Sequence, residues 1–163
     1  MEIGPGLGGL TQRLAETCAG VIALELDGRF ISPLQEILTP YANVCVLQGD
    51  ILRVDIGELF NRSGFLSPPL IYKVVSNLPY YATSAILRRL LEAEKKPSLL
   101  VVTVQREVAA RMVATPGRMS LLAVSVQFYS RPKIVARIPR GAFYPVPEVD
   151  SAVVRIDVHP SPA

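Results

Sequence analysis

A glycine-rich loop and two acidic residues have a spacing that suits recognition of a nucleoside. The loop Gly4-Pro-Gly-Leu-Gly8 can turn sharply and bring its backbone amides close to a ligand. Glu25 follows Gly4 by 21 residues at the end of a predicted strand, where a carboxylate can accept hydrogen bonds from both hydroxyls of a ribose. Asp50 ends the next predicted strand, and its carboxylate can accept from an adenine amino group or cap the following turn. The loop and acids together predict a cofactor that contains a nucleoside.

The glycine loop alone leaves the class of cofactor open. Gly4-x-Gly6-x-x-Gly9 also fits the dinucleotide fingerprint, so an NAD-dependent oxidoreductase and a merely structural turn are both alternatives. An oxidoreductase, however, gives no role to the second motif of the chain.

That second motif is Asn77-Leu-Pro-Tyr80, at the end of another predicted strand. Pro79 holds Leu78 extended, so the Leu78 carbonyl can point into a cleft, while Asn77 adds a side-chain oxygen. Tyr80 adds a flat aromatic face. Two acceptors and a stacking surface suit the exocyclic amine of a flipped-out base. The structural alternative is a strand-to-helix turn, with Asn77 as the helix cap and Pro79 in the first turn.

The predicted helices and strands that must position these residues alternate along the chain. Such alternation is typical of a parallel sheet with helices on both faces, which binds ligands beyond the carboxyl ends of its strands. Only Met1-Glu-Ile3 precedes the loop, so we expect a truncated first strand. Ser120–Tyr129 fits a helix or a strand by periodicity alone. The predicted strands are 21–24, 44–47, 70–75, 99–104, 133–138 and 149–158; a helical stripe begins at Leu10, further helices cover 30–38, 56–60, 83–93 and 105–114, and loops cover 61–64 and 67–69.

Composition indicates one folded domain of 163 residues, since 50% of the residues are hydrophobic and only 19% are charged. The longest apolar stretches, such as 98–104, are far shorter than the roughly 20 residues of a membrane span. Cys18 and Cys45 form neither a disulfide framework nor a metal pattern. Neither follows a strand end beside a proline, which disfavours the cysteine nucleophile of cytosine C5 methylation. We expect a cytosolic protein without a metal or a membrane.

Charge is distributed unevenly along the chain. Residues 1–100 hold 9 Lys/Arg and 10 Asp/Glu, net −1, whereas residues 101–163 hold 8 and 4, net +4. The basic second part can face an anionic polymer, although an ordinary solvated surface is an equal alternative. The candidate RNA-binding residues are Arg106, Arg131, Lys133, Arg137 and Arg140.

Six motifs follow one another along the chain: Glu2-Ile-Gly-Pro-Gly-Leu-Gly8, Glu25-Leu-Asp27, Gly49-Asp50, Asn77-Leu-Pro-Tyr80, Gln105-Arg-Glu-Val108 and Gly141-Ala-Phe-Tyr-Pro-Val-Pro-Glu-Val-Asp-Ser-Ala-Val-Val154. In this order and spacing they resemble the ribosomal RNA adenine N6,N6-dimethyltransferases. The resemblance covers practically the whole chain, and its two longest motifs are highly specific. Members of that family use S-adenosylmethionine to dimethylate two adjacent adenosines near the 3′ end of small-subunit ribosomal RNA.

The resemblance implies a Rossmann-like α/β fold of the S-adenosylmethionine-dependent methyltransferases. Its sheet is mostly parallel and of the seven-stranded type, with an antiparallel last strand, and Ser120–Tyr129 is a helix. For the cofactor, the resemblance implies that Glu2 and Gly4 line the methionine end, Glu25 binds the ribose, and Asp50 and Ile51 hold the adenine. For the target base, it implies that Asn77 and the Leu78 carbonyl bind the amine, while Tyr80 and Phe143 stack on the ring. The full set of expected cofactor residues is Glu2, Gly4, Gly6, Glu25, Asp50, Ile51 and Asn77, and the expected catalytic residues are Asn77, Leu78, Pro79, Tyr80 and Phe143.

The chain also departs from the family pattern. It lacks the usual first segment with a Gln-Asn-Phe-Leu motif and the helical domain that usually follows the last strand, and its 114–117 loop is short. We therefore expect a catalytic domain over residues 1–158, truncated at both ends, followed by a tail over 159–163. It is expected to be a monomer that acts on ribosomal RNA or a small-subunit precursor. The alternatives are a large-subunit RNA methyltransferase of the macrolide-resistance type and a catalytically inactive RNA-binding assembly factor.

Overall fold

The computed structural model describes residues 1–65 and 71–160, in two compact units, Met1–Asn77 and Leu78–Ala163. The predicted loop 67–69, the predicted strand residue Leu70 and residues 161–163 of the predicted tail lie outside the described residues. Across the described part of the chain, every helix is too short or too polar to span a bilayer.

A parallel sheet forms the centre of the first unit. Its strands are β1 (Glu2–Ile3), β2 (Val21–Glu25) and β3 (Val44–Gln48), with β2 in the middle. All five residues of β2 are buried, which explains why this strand reads as a continuous apolar run. Strand β1, which leads into the glycine loop, has two residues. Because the strands are parallel, their carboxyl ends meet at one edge, where the glycine loop and Glu25 lie.

A fourth strand of the first unit, β4 (Lys73–Asn77), lies beside β1. The Val75 N–H donates to the Met1 carbonyl at 3.1 Å, and the Ser76 hydroxyl bonds both the N–H and the carbonyl of Ile3. The strand continues to Asn77, two residues beyond the predicted end. Asn77 is therefore presented by a strand rather than by a free loop.

The helices of the first unit are α1 (Gly9–Ala15), α2 (Ile31–Leu38) and α3 (Ile56–Ser63). The prediction that residues 61–64 form a loop is wrong for 61–63, which complete α3. Ser63 Oγ donates to the Phe60 carbonyl at 2.8 Å, and the helix ends at Gly64, whose φ of 74° is left-handed. Turn-forming residues here stabilise the last helical turn instead of interrupting it.

The second unit contains an antiparallel sheet and three helices. Its elements are α4 (Thr83–Leu91), β5 (Leu99–Gln105), α5 (Arg106–Met112), α6 (Leu121–Tyr129), β6 (Ser130–Ile138) and β7 (Ser151–Val158). β7 lies between β5 and β6 and is antiparallel to both, which confirms the antiparallel last strand. The ambiguous segment is a helix, as the resemblance implied, and Ser120 caps it by accepting from the Ala123 N–H at 3.4 Å.

Several predicted boundaries in the second unit were wrong by two or three residues. α4 ends at Leu91 rather than at residue 93, and β7 begins at Ser151 rather than at 149. β6 begins at Ser130, three residues early, because Ser130 pairs with Val158 across the antiparallel ladder. The ends of such strands depend on pairing with the partner strand, and the periodicity of nearby residues carries no information about that pairing.

Candidate functional site

The glycine loop between β1 and α1 adopts a backbone that requires glycine. Gly4, Gly6 and Gly8 have φ values of 67°, 56° and 79°, all in the left-handed region. At Gly8 a Cβ would also lie 2.8 Å from Leu34 Cδ1 of α2. Gly9, by contrast, is the first residue of α1 and has open space around it. The third structurally required glycine is thus Gly8, and the Gly9 of the dinucleotide template has no such role.

Glu25 fastens this loop to the end of β2. Its Oε2 accepts from the Gly6 N–H at 3.1 Å, and its Oε1 accepts from the Asp27 N–H at 2.9 Å. The residue is 7% exposed. Because each carboxylate oxygen can accept two hydrogen bonds, each retains one acceptor site for a further donor such as a ribose hydroxyl. The sequence spacing suggested the ribose role but contained no sign of the Gly6 anchor.

Glu2 is a buried acid with one carboxylate oxygen unpaired in the described part of the chain. The residue is 2% exposed, and within residues 1–65 and 71–160 neither Glu2 Oε2 nor Thr11 Oγ1 has a hydrogen-bond partner of good geometry. Burial raises the pKa of Glu2; the neighbouring Thr11 hydroxyl opposes this rise, and the charge of Glu25 adds to it. A buried acceptor of this kind favours a bound cation or hydrogen-bond donor. Thr11 carried no signal in the sequence.

Asp50 follows β3 and caps the next turn. Its Oδ1 accepts from the Leu52 N–H at 2.9 Å, and its Oδ2 lies 3.5 Å from Arg53 Nε. The capping alternative is therefore observed, and the carboxylate stays 30% exposed. Ile51 is only 5% exposed, so its side chain offers little surface to a ligand. The adenine-binding roles of both residues stay predictions.

Asn77 closes the first unit, and Leu78, Pro79 and Tyr80 open the second. Leu78 is 1% exposed, and its N–H donates to the Thr103 carbonyl at 3.1 Å, which holds this peptide in place. The Pro79 carbonyl accepts from the Thr83 hydroxyl at 3.0 Å. Helix α4 begins only at Thr83, with Ala82 as its cap residue. The alternative in which Asn77 caps the helix and Pro79 lies in its first turn is wrong.

The Tyr80 ring is oriented by a buried partner in the same unit. Its hydroxyl and Ser151 Oγ are 2.7 Å apart, and Ser151 is fully buried at the start of β7. A ring fixed at its far end loses little conformational entropy when a base stacks on it. Ser151 belongs to the long motif 141–154, but no role for it followed from the sequence.

Phe143 lies in the proline-rich loop before β7. It follows a 3₁₀ turn over Arg140–Ala142, and its N–H donates to the Arg140 carbonyl at 3.2 Å. Phe143 is half-buried, whereas the adjacent Tyr144 is 99% exposed. The loop thus presents two consecutive aromatic side chains, and only Phe143 was expected to stack on the base.

Five basic residues were expected to bind RNA, and the structure divides them into separate groups. Arg106 and Arg140 are both attached to Asp150, through Arg106 Nη1 at 3.3 Å and the Arg140 backbone N–H at 3.1 Å. Arg140 precedes Phe143 in the same loop, and Arg106 is the first residue of α5. The other three, Arg131, Lys133 and Arg137, are exposed on β6. Asp150 connects the beginning of α5 to this loop, a role with no local signal in the sequence.

The chain matches known proteins over nearly its full length. Residues 1–163 match the family described as ribosomal RNA adenine dimethylase. A relative named ribosomal RNA small subunit methyltransferase A, from Dehalococcoides mccartyi, is 48% identical over 158 residues, which are 97% of this chain and 52% of that protein. The chain thus spans about half the length of the curated relatives it matches.

Solved structures support the same assignment. The 23S rRNA methyltransferase ErmE has a TM-score of 0.82 and 32% identity, and the match covers 99% of this chain and 61% of that one. A dimethyladenosine transferase from Plasmodium falciparum has a TM-score of 0.80 and 27% identity, with 97% of this chain and 55% of that one covered. The fold is the Rossmann-like fold of the S-adenosylmethionine-dependent methyltransferases, and the chain belongs to the ribosomal RNA adenine dimethylase family.

Proposed function

We propose that this protein transfers methyl groups from S-adenosylmethionine to the N6 amine of adenosines in small-subunit ribosomal RNA, forming dimethyladenosine. Family membership and the 48% identity to a small-subunit methyltransferase support the reaction. The observation that carries the cofactor assignment is the double hydrogen bond of Glu25 to Gly6 and Asp27, which places a carboxylate with spare acceptor sites at the glycine loop.

The residues of the first unit fit a cofactor with a cationic amino-acid end and a nucleoside end. When bound, S-adenosylmethionine supplies an electrophilic methyl group. Glu2 offers a buried carboxyl for an ammonium or sulfonium group, and burial without a partner is the property that favours a cation there. Glu25 is the proposed acceptor for the ribose hydroxyls, and Asp50 and Ile51 are the proposed neighbours of the adenine. NAD carries instead a pyrophosphate, for which the loop has backbone amides but no cationic side chain.

Asn77, Leu78 and Tyr80 are the proposed residues for the target base. The adenine amine is a weak nucleophile because its lone pair is delocalised into the ring. Acceptors on its two hydrogens, the Asn77 side-chain oxygen and the Leu78 carbonyl, favour a pyramidal nitrogen that can attack. Bound S-adenosylmethionine would supply the methyl group, and Asn77 and Leu78 would hold the amine that receives it and releases a proton to solvent. Pro79 keeps Leu78 extended, and Tyr80 and Phe143 provide the stacking faces.

Large-subunit RNA is the second candidate substrate. It is favoured by the 0.82 TM-score to a 23S rRNA methyltransferase, but the identity to that protein is 32%, against 48% for the small-subunit relative. An assembly factor without turnover is the non-enzymatic alternative. Cytosolic location, a monomeric state and the absence of a metal stay predictions.

Calorimetric titration and methyl transfer together test the proposal. We expect S-adenosylhomocysteine to bind more tightly than NAD, and labelled methyl groups from S-adenosylmethionine to enter small-subunit rather than large-subunit ribosomal RNA. Equal or reversed affinity for NAD contradicts the cofactor assignment. Tight binding without transfer to either RNA supports the assembly factor instead.

A further inference from the structure

A β-bulge interrupts the regular alternation of side chains along β6. In the antiparallel ladder with β7, Ile134 pairs with Val154, but the next pair is Ala136 with Val153. Val135 is therefore the extra residue of the bulge. Directly paired residues of antiparallel strands point to the same side of the sheet, and one extra residue reverses the sides that follow.

The bulge separates cations that a regular strand would keep together. Lys133 pairs with Arg155, and Arg131 pairs with Asp157, on one side of the sheet. Arg137 pairs instead with Ala152, which shares the opposite side with the fully buried Val154 and Ile156 of the same strand. Strict alternation would have placed residues 131, 133 and 137 on one side. Arg155, which was not among the candidate RNA-binding residues, takes the place of Arg137.

We call the exposed surface of Arg131, Lys133, Arg155 and Asp157 the β6–β7 basic face. Its one acid is bound within it, because Arg155 Nη2 lies 2.8 Å from Asp157 Oδ1. Arg155 lowers the pKa of Asp157, with a smaller contribution from Arg131, so this acid stays ionised and neutralises one charge. Three cations and one anion leave the face with a net charge of +2. Lys133 has no ion pair with any residue that the structure describes.

The geometry of the face suits a chain of closely spaced anions. Residues two apart on a strand lie roughly 7 Å from each other, and directly paired residues about 5 Å. Arg131 and Lys133 on the edge strand β6 and Arg155 on the neighbouring β7 therefore form a compact, exposed cluster. Arginine and lysine side chains of this kind contact phosphate oxygens without reading bases.

We infer that the β6–β7 basic face binds the phosphate backbone of RNA through Arg131, Lys133 and Arg155, and that Arg137 lies outside this contact. The inference rests on the proposed function, since it assigns a surface of the chain to the RNA substrate. Of the basic residues predicted from sequence it keeps Arg131 and Lys133 on β6, and it leaves out Arg137 and adds Arg155 from β7.

Matched variants on β6 test whether Lys133 lies inside the RNA contact and Arg137 outside it. The probe is a fluorescein-labelled single-stranded fragment of small-subunit ribosomal RNA, and its affinity is measured by anisotropy between 50 and 200 mM salt. Each lost phosphate contact reduces the slope of log K against log salt by about 0.7 on single-stranded RNA. We expect this reduction for Lys133→Gln and no change for Arg137→Gln, which removes the same charge from the same strand. Arg131→Gln with Lys133→Gln should reduce it by about 1.4, so that the fourfold rise in salt costs about sevenfold less affinity than in the parent.

A rescue variant tests the register itself. Ala136 is exposed and lies on the same side as Lys133, so Ala136→Lys in the Arg131→Gln, Lys133→Gln background should restore about 0.7 of the slope. Three results overturn the inference: Arg137→Gln and Lys133→Gln reduce the slope equally, no variant changes the slope, or the parent binds no RNA. Titration with S-adenosylhomocysteine is run on every variant. If the variants bind S-adenosylhomocysteine but their salt slopes are unchanged, only the assignment of the β6–β7 basic face is refuted. If the parent does not bind S-adenosylhomocysteine, the proposed function is refuted.

Discussion

Removing the Glu25 carboxylate should weaken both the glycine loop and the binding of a nucleoside. Glu25 accepts one backbone N–H from Gly6 and one from Asp27, at 3.1 and 2.9 Å. A hydrogen bond to a charged group contributes about 1.5–3 kcal/mol. Both bonds are only partly buried, so water can replace some of each, and we expect Glu25→Ala to lower the free energy of unfolding by about 3 kcal/mol.

Glu25→Gln is the matched control, because an amide keeps one acceptor oxygen and replaces the other with a donor. It can satisfy only one of the two N–H groups, so about half of the loss, near 1.5 kcal/mol, is expected. Urea unfolding followed by circular dichroism measures both variants. Calorimetry should show that Glu25→Ala weakens the binding of S-adenosylhomocysteine by about 1–3 kcal/mol, a roughly 5- to 150-fold rise in Kd, because the ribose hydroxyls are left unpaired.

Two results would refute this reasoning. If the free energy of unfolding of Glu25→Ala is within about 0.5 kcal/mol of the parental value, as for ordinary surface substitutions, Glu25 does not anchor the loop. If stability falls as expected but the affinity for S-adenosylhomocysteine is unchanged, the carboxylate is a structural anchor and not a ribose ligand.

Four further substitutions address other acidic and polar residues of the first unit and of the proposed site. The raised pKa of Glu2 means that the folded protein gains stability from this group below about pH 4.3, the ordinary glutamate value, and loses it as the pH rises through the folded pKa. In urea unfolding, Glu2→Gln should therefore become increasingly stabilising relative to the parent as the pH rises from about 4.3 through the folded pKa. Ser76→Ala should cost about 1–3 kcal/mol of unfolding free energy, because it leaves the buried N–H and carbonyl of Ile3 without their hydroxyl partner. Asn77→Ala should raise the activation free energy of single-turnover methyl transfer by about 2–4 kcal/mol and leave cofactor affinity intact. Tyr80→Ala should weaken the binding free energy for RNA by about 1–3 kcal/mol.

Each of these outcomes has a control within the chain. A constant stability difference across pH contradicts a raised Glu2 pKa. Ser63→Ala, which removes a less buried hydroxyl bond to the Phe60 carbonyl, should cost less than Ser76→Ala. Tyr80→Phe keeps the stacking face but loses the Ser151 bond, so it should lie between the parent and Tyr80→Ala. Methyl transfer at the parental rate by Asn77→Ala means that the proposed amine contact is wrong.

Local patterns were sufficient to predict most of the secondary structure, and the family resemblance supplied the antiparallel last strand. Strand β2 and helices α1 and α2 begin or end within a residue or two of the predicted positions, because burial periodicity and turn residues act over a few neighbours. Family motifs added what periodicity lacked, and they correctly made Ser120–Tyr129 a helix. Where a boundary depends on a distant strand, as at Ser130, the prediction from local residues was wrong.

The sequence by itself determined which polar residues stand at the strand ends, and tertiary structure decided which of them act together. Glu25 and Gly6 are 19 positions apart, and Tyr80 and Ser151 are 71 apart, so neither hydrogen bond has a local signature. The side of the sheet that carries Arg137 depends on one unpaired residue, Val135, and a two-residue period cannot register such an insertion. Side-chain type is a property of the chain, whereas its partners and the face it occupies depend on long-range strand pairing.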